Sequence, residues 1–172
     1  MKNQRMLDEL TELMRIDVSS GQEMEIADCL AAKLEQMGFS ITRDEAGATF
    51  GGVCGNVLAV REGERDSVVC FCSHMDRVPG GIGIKPVEED GILRSSGDTI
   101  LAADDLSGVA AILEGVRQAI ESGKALPKLE ILFTVGEEAG LYGAKAFDVS
   151  LLTSKTMYVL DSPGRIGRIV NG

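Results

Sequence analysis

Three continuous apolar runs, each released abruptly into acidic or imidazole side chains, constrain this chain more than any other feature. Ser67-Val68-Val69-Cys70-Phe71-Cys72 ends in Ser73-His74-Met75-Asp76, Leu129-Glu130-Ile131-Leu132-Phe133-Thr134-Val135 exits into Gly136-Glu137-Glu138, and Thr156-Met157-Tyr158-Val159-Leu160 exits into Asp161. Short runs without alternation are the pattern of strands buried on both faces. Such strands belong to an open α/β sheet that builds its site along the carboxyl edge. Between the first two runs lies Ser96-Gly97-Asp98-Thr99-Ile100-Leu101-Ala102-Ala103-Asp104-Asp105-Leu106-Ser107-Gly108. It places two adjacent carboxylates at the start of a helical pattern carried by Val109, Ile112, Leu113, Val116 and Ile120. The positive end of a helix dipole favours anions there. Taken alone, Asp105 reads as an N-cap and Asp104 as its solvated neighbour.

The remaining elements follow from spacing. Met6, Leu7, Leu10, Leu13 and Met14 form the stripe of a first helix, and Ile26, Leu30, Leu34 and Met37 that of a second. Ser20-Gly21-Gln22-Glu23 has the form of a capping box for the second helix, and Gly38 is its natural stop. Short strands are predicted over 39–43 and 53–60, with a loop over 46–52 and an exposed hairpin over 87–93. Pro79-Gly80-Gly81-Ile82-Gly83 lacks a phosphate-binding spacing and opens no helix, so it reads as a loop beside the site.

Composition closes off several classes. Seventeen basic against 27 acidic residues leave a net charge of −10, which repels nucleic acid. No apolar run approaches the length of a membrane span, and the N-terminus runs into an amphipathic helix rather than a signal-type segment. Cys29, Cys54, Cys70 and Cys72 include no C-x-x-C pair and are expected to be reduced, mostly buried thiols. A cytoplasmic location is the expectation that follows.

Gathering His74, Asp76, Asp104, Asp105, Glu137, Glu138 and Asp161 at one rim would crowd six carboxylates around the only histidine of the chain. Mutual repulsion would raise their pKa values unless cations are bound. Imidazole and carboxylates without thiolates suit catalytic zinc, cobalt or manganese rather than a structural cysteine site. Bridged by one carboxylate, two such ions would perform two-metal hydrolysis.

The motifs Ser73-His74-Met75-Asp76-Arg77-Val78-Pro79, Ala103-Asp104-Asp105-Leu106-Ser107-Gly108, Phe133-Thr134-Val135-Gly136-Glu137-Glu138-Ala139-Gly140 and Tyr158-Val159-Leu160-Asp161 together resemble the aminoacylase/carboxypeptidase-G family of dinuclear zinc exopeptidases, most of all its peptidase T-like branch. The resemblance spans essentially the whole chain. It implies a three-layer helix-sheet-helix catalytic domain with a mostly parallel central sheet. Position by position, it implies that His74, Asp104 and Asp161 hold one zinc and that Asp104 bridges to a second zinc held also by Glu138. Asp76 would orient His74, and Glu137 would be the general base, moving a proton from the bridging water to the leaving amine. A cis peptide between Asp104 and Asp105 is implied as well.

The family's further histidine ligand and its lid domain, inserted after the region matching Asp161 to Asn171, have no counterpart in the 172 residues. The expectation is therefore the N-terminal portion of a catalytic domain, truncated before the lid. In complete form this would be an aminopeptidase acting on short peptides, tripeptides by resemblance, and a homodimer. The alternatives are a related carboxypeptidase or N-acyl amino acid amidohydrolase, or a metal-binding fragment without turnover. Arg77 stands where the family usually has threonine, and its expected place is the metal rim, paired with a substrate carboxylate. A sheet lacking further strands should also leave an apolar edge that promotes association.

Overall fold

The computed structural model describes residues 4–162. The stretch toward Asn171, where the lid insertion is expected, lies outside them. Two amphipathic helices, α1 (Gln4–Met14) and α2 (Met24–Gln36), precede strands β1 (Ser40–Arg43), β2 (Val57–Arg61) and β3 (Arg65–His74). A hairpin of β4 (Pro86–Glu89) and β5 (Ile92–Ser95) leads to the long helix α3 (Ala103–Glu121), strand β6 (Pro127–Thr134), the short helix α4 (Tyr142–Ala146) and strand β7 (Met157–Val159).

Five strands form one sheet in the order β1-β2-β6-β3-β7. The three apolar runs became β3, β6 and β7, and they lie side by side and parallel. Strand β2 runs antiparallel to both β1 and β6. His74 pairs with Thr134 in register, so β3 and β6 end at the same level and release their polar residues onto one rim.

The sheet faces separate the core. Val57, Ala59, Leu129, Ile131 and Phe133 pack against Leu13 and Met14 of α1, Ile26, Leu30 and Leu34 of α2, and Val109, Leu113 and Val116 of α3. Each fully buried Leu, Ile or Phe stabilises the fold by about 1.5–3 kcal/mol. The opposite face, with Leu58, Cys72 and Leu132, is covered by Phe147 beyond α4. Buried Glu9 of α1 receives Arg117 of α3 at 2.7 Å and Lys33 of α2 at 3.2 Å, tying the three helices together. The outer edge of β7 has no partner strand among the described residues, and Tyr158 and Val159 are exposed there. No helix among the described residues is long and apolar enough to cross a membrane. All four cysteines are free, two of them buried and two half-buried.

Two expectations are corrected. Strand β2 starts at Val57 rather than Val53, and just before it the Asn56 backbone N–H donates to the Asp44 side chain at 2.8 Å rather than to a neighbouring strand. The capping box does not form either: α2 has no side-chain cap, the Ser20 hydroxyl donates to Asp76, and Glu23 accepts from Gly21 and Gly136. Both residues are recruited away from the helix toward the rim.

Candidate metal centre

His74 is the last residue of β3 and is 3% exposed. Its Nδ1 lies 3.1 Å from the backbone oxygen of Asp76 and 3.3 Å from Asp76 Oδ1, while its Nε2 lies 3.2 Å from Asp104 Oδ1. Both ring nitrogens thus face oxygen acceptors. Burial opposes charge on the ring, but the carboxylates of Asp76, Asp104 and Asp161 outweigh it and push the pKa up to about 9. A neutral imidazole donating from Nδ1 would leave the Nε2 lone pair facing a carboxylate, an arrangement that calls for a proton or a cation between them.

Asp76, one of the most buried carboxylates in the molecule, is satisfied from three directions. It accepts from the Ser20 hydroxyl, from Glu137 N–H at 2.9 Å and from Glu138 N–H at 3.1 Å, besides its contact with His74. Burial alone would raise its pKa, yet His74 and these donors hold it below the usual aspartate range.

The backbone entering α3 is not regular helix. Asp104 and Asp105 have non-helical backbone angles, and the peptide bond between them is cis, as the resemblance implied. This sends the two side chains to different places. Asp104 is turned outward, its side chain 73% exposed, toward His74. Asp105 is buried, accepting the Ser73 hydroxyl at 2.6 Å and the Gly108 N–H at 3.0 Å, so it does act as an N-cap. Desolvation raises its pKa to about 6. Gly108 is required where it stands, because a Cβ there would lie 2.4 Å from the Leu160 carbonyl oxygen. That close approach seats the start of α3 against the exit of β7, and Asp104 and Asp161 line one cleft of about 260 Å³.

One ligand atom each from His74, Asp104 and Glu138 lies within 4.8 Å of the others. Two donors about 2.1 Å from a shared tetrahedral ion sit about 3.4 Å apart, so the group would draw in by at most about 1.4 Å to close on a metal. Asp161 lines the same cleft as Asp104 and is not part of the three-atom group. The Glu137 carboxylate reaches within 4.0 Å of His74 Nε2 without belonging to the three-atom group. Burial, with the neighbouring carboxylates, outweighs His74 and raises the pKa values of Glu137, Glu138 and Asp161. The Cys72 thiol is pushed up to about 12 by burial, and no cysteine is among the grouped donor atoms. The donor set therefore fits a metal of the zinc, cobalt or manganese type.

Arg77 is elsewhere. It is 1% exposed and turned into the protein, donating to the Gly81 carbonyl at 2.9 Å and, at 3.4 Å, to the carbonyls of Leu13 and Met14 at the end of α1. Terminal helix carbonyls attract a cation, and this attraction takes the side chain away from the rim. The expected pairing with a substrate carboxylate is overturned. Conversely, sequence reasoning missed Ser20, Glu23, Asn56 and Ser73, all of which bond to the site's backbone or carboxylates.

Comparison with known proteins gives concordant findings. The family model described as peptidase family M28 matches residues 56–167. A Bacillus subtilis protein named uncharacterized protein YqjE is 38% identical over 171 residues, covering 99% of this chain and 46% of that protein. The crystal structure of aminopeptidase PepT from Bacillus cereus matches with a TM-score of 0.93 at 38% identity, over 96% of this chain and 45% of that one. A tripeptidase from Staphylococcus aureus matches with a TM-score of 0.89 at 33% identity, over 94% and 44%. The chain thus spans somewhat less than half the length of these relatives. The α/β fold with its mostly parallel sheet is that of the PepT-like catalytic domain.

Proposed function

Because the chain belongs to peptidase family M28, we propose that it carries the metal-binding half of a zinc-dependent exopeptidase active site, which in complete form is an aminopeptidase releasing the N-terminal residue of short peptides, tripeptides foremost. Residues 1–172 are, on this reading, the N-terminal portion of the catalytic domain. The substrate class is drawn from the similarity to an aminopeptidase and a tripeptidase. The observation that carries the proposal is the convergence of His74, Asp104 and Glu138 donor atoms within 4.8 Å, with a second glutamate beside them and outside the group.

His74, Asp104 and Asp161 would hold one zinc, and Asp104 with Glu138 a second, cobalt and manganese being accepted by the same donors. When bound, the metal supplies Lewis-acid polarisation of the scissile carbonyl and acidification of water. Asp76 fixes the ring of His74 through Nδ1, so that Nε2 is the ligating nitrogen. Glu137 takes a proton from the attacking water on a carboxylate oxygen and delivers it to the leaving amine nitrogen as the C–N bond breaks. A carboxylate near the ligands but outside their group is placed for that exchange, and a binding module without turnover would have no use for it. A homodimeric complete enzyme in the cytoplasm, where four free thiols persist, belongs to the same reading.

The test is zinc per chain after exhaustive dialysis, for the wild-type protein, His74→Ala and Asp104→Ala. About one retained zinc, lost in both variants, supports the assignment. Zinc retained equally by all three would refute it.

A further inference from the structure

The turn that carries Glu137 and Glu138 lies beyond the end of β6, where no strand ladder can satisfy its backbone. Four consecutive N–H groups there each donate to a side-chain oxygen: Val135 to Asn56 Oδ1 at 3.1 Å, Gly136 to Glu23 Oε1 at 3.0 Å, Glu137 to Asp76 Oδ1 at 2.9 Å and Glu138 to Asp76 Oδ2 at 3.1 Å. Three side chains from distant parts of the sequence thus form a cradle for one turn. Of the three, only Asp76 belongs to the motifs that carry the family resemblance.

Glu23 is the costly member. It is fully buried, its Oε1 accepts from both Gly21 and Gly136, and its Oε2 has no partner. A carboxyl group with one oxygen unsatisfied in the interior is a poor choice for stability alone. Nor is it spent on the helix it precedes, since no side chain caps α2. Its bonds instead bind the loop before α2 to the residue preceding Glu137. The seat is narrow on the other side as well. Gly136 is left-handed at φ 58°, and a Cβ there would stand 2.6 Å from the ring of Phe50, which is itself stacked on Tyr142.

Resting on the reading that His74, Asp104, Asp161 and Glu138 are the metal ligands, we propose that Glu23 is a positioning residue: through Gly136 it sets where the carboxylates of Glu137 and Glu138 stand, touching neither metal nor substrate. What the position requires is an oxygen acceptor of glutamate's reach. Charge is secondary, because burial raises the pKa of this carboxyl and so works against its charged form. Glutamine supplies the same reach, whereas aspartate keeps the carboxyl but withdraws it by one methylene.

Cobalt titration of the 172-residue chain, followed by visible absorption and paired with thermal melts, tests this. Glu23→Gln should bind cobalt within about threefold of wild type, and Glu23→Asp should lose about tenfold or more with an altered spectrum, the size expected for partners that orient ligands. Leu34→Ala, a buried change on α2 remote from the turn, should lower the melting midpoint and leave cobalt affinity unchanged. Glu23→Asp binding like wild type, or Leu34→Ala losing as much as Glu23→Asp, overturns the positioning role. If Glu23→Asp does not fold, Glu23→Gln decides, since loss of affinity there would make charge rather than reach the requirement. A wild type that binds cobalt no better than His74→Ala overturns the metal reading and the positioning role with it. Binding by wild type and not by His74→Ala, with Glu23→Asp unaffected, removes only the latter.

Discussion

Metal uptake by this site should be steeply pH-dependent well above the usual histidine range. Both nitrogens of His74 face oxygens, and the surrounding carboxylates raise its pKa from 6.5 to about 9 in the metal-free chain. A metal must then displace the proton on Nε2, so apparent affinity falls as the ring protonates. For a pKa of about 9, affinity drops about 30-fold between pH 8 and pH 6.5; for an unperturbed ring the same interval costs only about twofold. Zinc competition against a chromophoric chelator at the two pH values measures the ratio directly. Calorimetry in two buffers should likewise show about one proton released per zinc at pH 7.5, against about 0.1 for an unperturbed ring. Asp76→Asn, which removes the largest of the influences that raise the pKa, should shrink the ratio. Folding carries the same signature. A raised histidine pKa contributes stability that is fully present below about 6.5 and lost as pH rises through about 9, so the metal-free protein should melt progressively lower across that window. An affinity ratio near two would refute the argument, because it would mean that the carboxylates do not hold a proton on His74.

Two further outcomes follow from the fold. Arg77→Thr should destabilise by roughly 2–4 kcal/mol, since it removes one well-formed charged hydrogen bond and two longer ones to buried carbonyls, partly offset by no longer burying a guanidinium. That corresponds to a melting midpoint lower by roughly 5–15 °C with zinc stoichiometry unchanged, and a stable variant with altered zinc content would contradict the placement of Arg77. The edge of β7, unpaired among the described residues and with Tyr158 and Val159 exposed, should make the 172-residue chain associate as its concentration rises. A monodisperse monomer by light scattering at high concentration would count against this.

The parts of the site legible in the sequence are those governed by local pattern. Buried strands announce themselves as apolar runs, and whatever follows them must emerge at the rim, so His74, Glu137, Glu138 and Asp161 could be placed from spacing alone. Asp105 could also be read as a cap, because a cap is satisfied within one turn. Arg77 and Glu23 failed for the opposite reason. Each sits in a local context with a plausible local role, at the rim or in a capping box, and each also bonds partners far along the chain that this context does not reveal: Leu13 and Met14 for Arg77, Gly136 for Glu23. Local hydrogen bonds to helix ends are worth about 1 kcal/mol and are easily outbid when a buried backbone group elsewhere would otherwise go unsatisfied. The N–H groups of residues 135 to 138 are such groups. Their demand for acceptors explains why a loop before α2, a residue at the start of β2 and the exit of β3 meet at one turn, and why the polar residues that shape the candidate site extend beyond the motifs that reveal it.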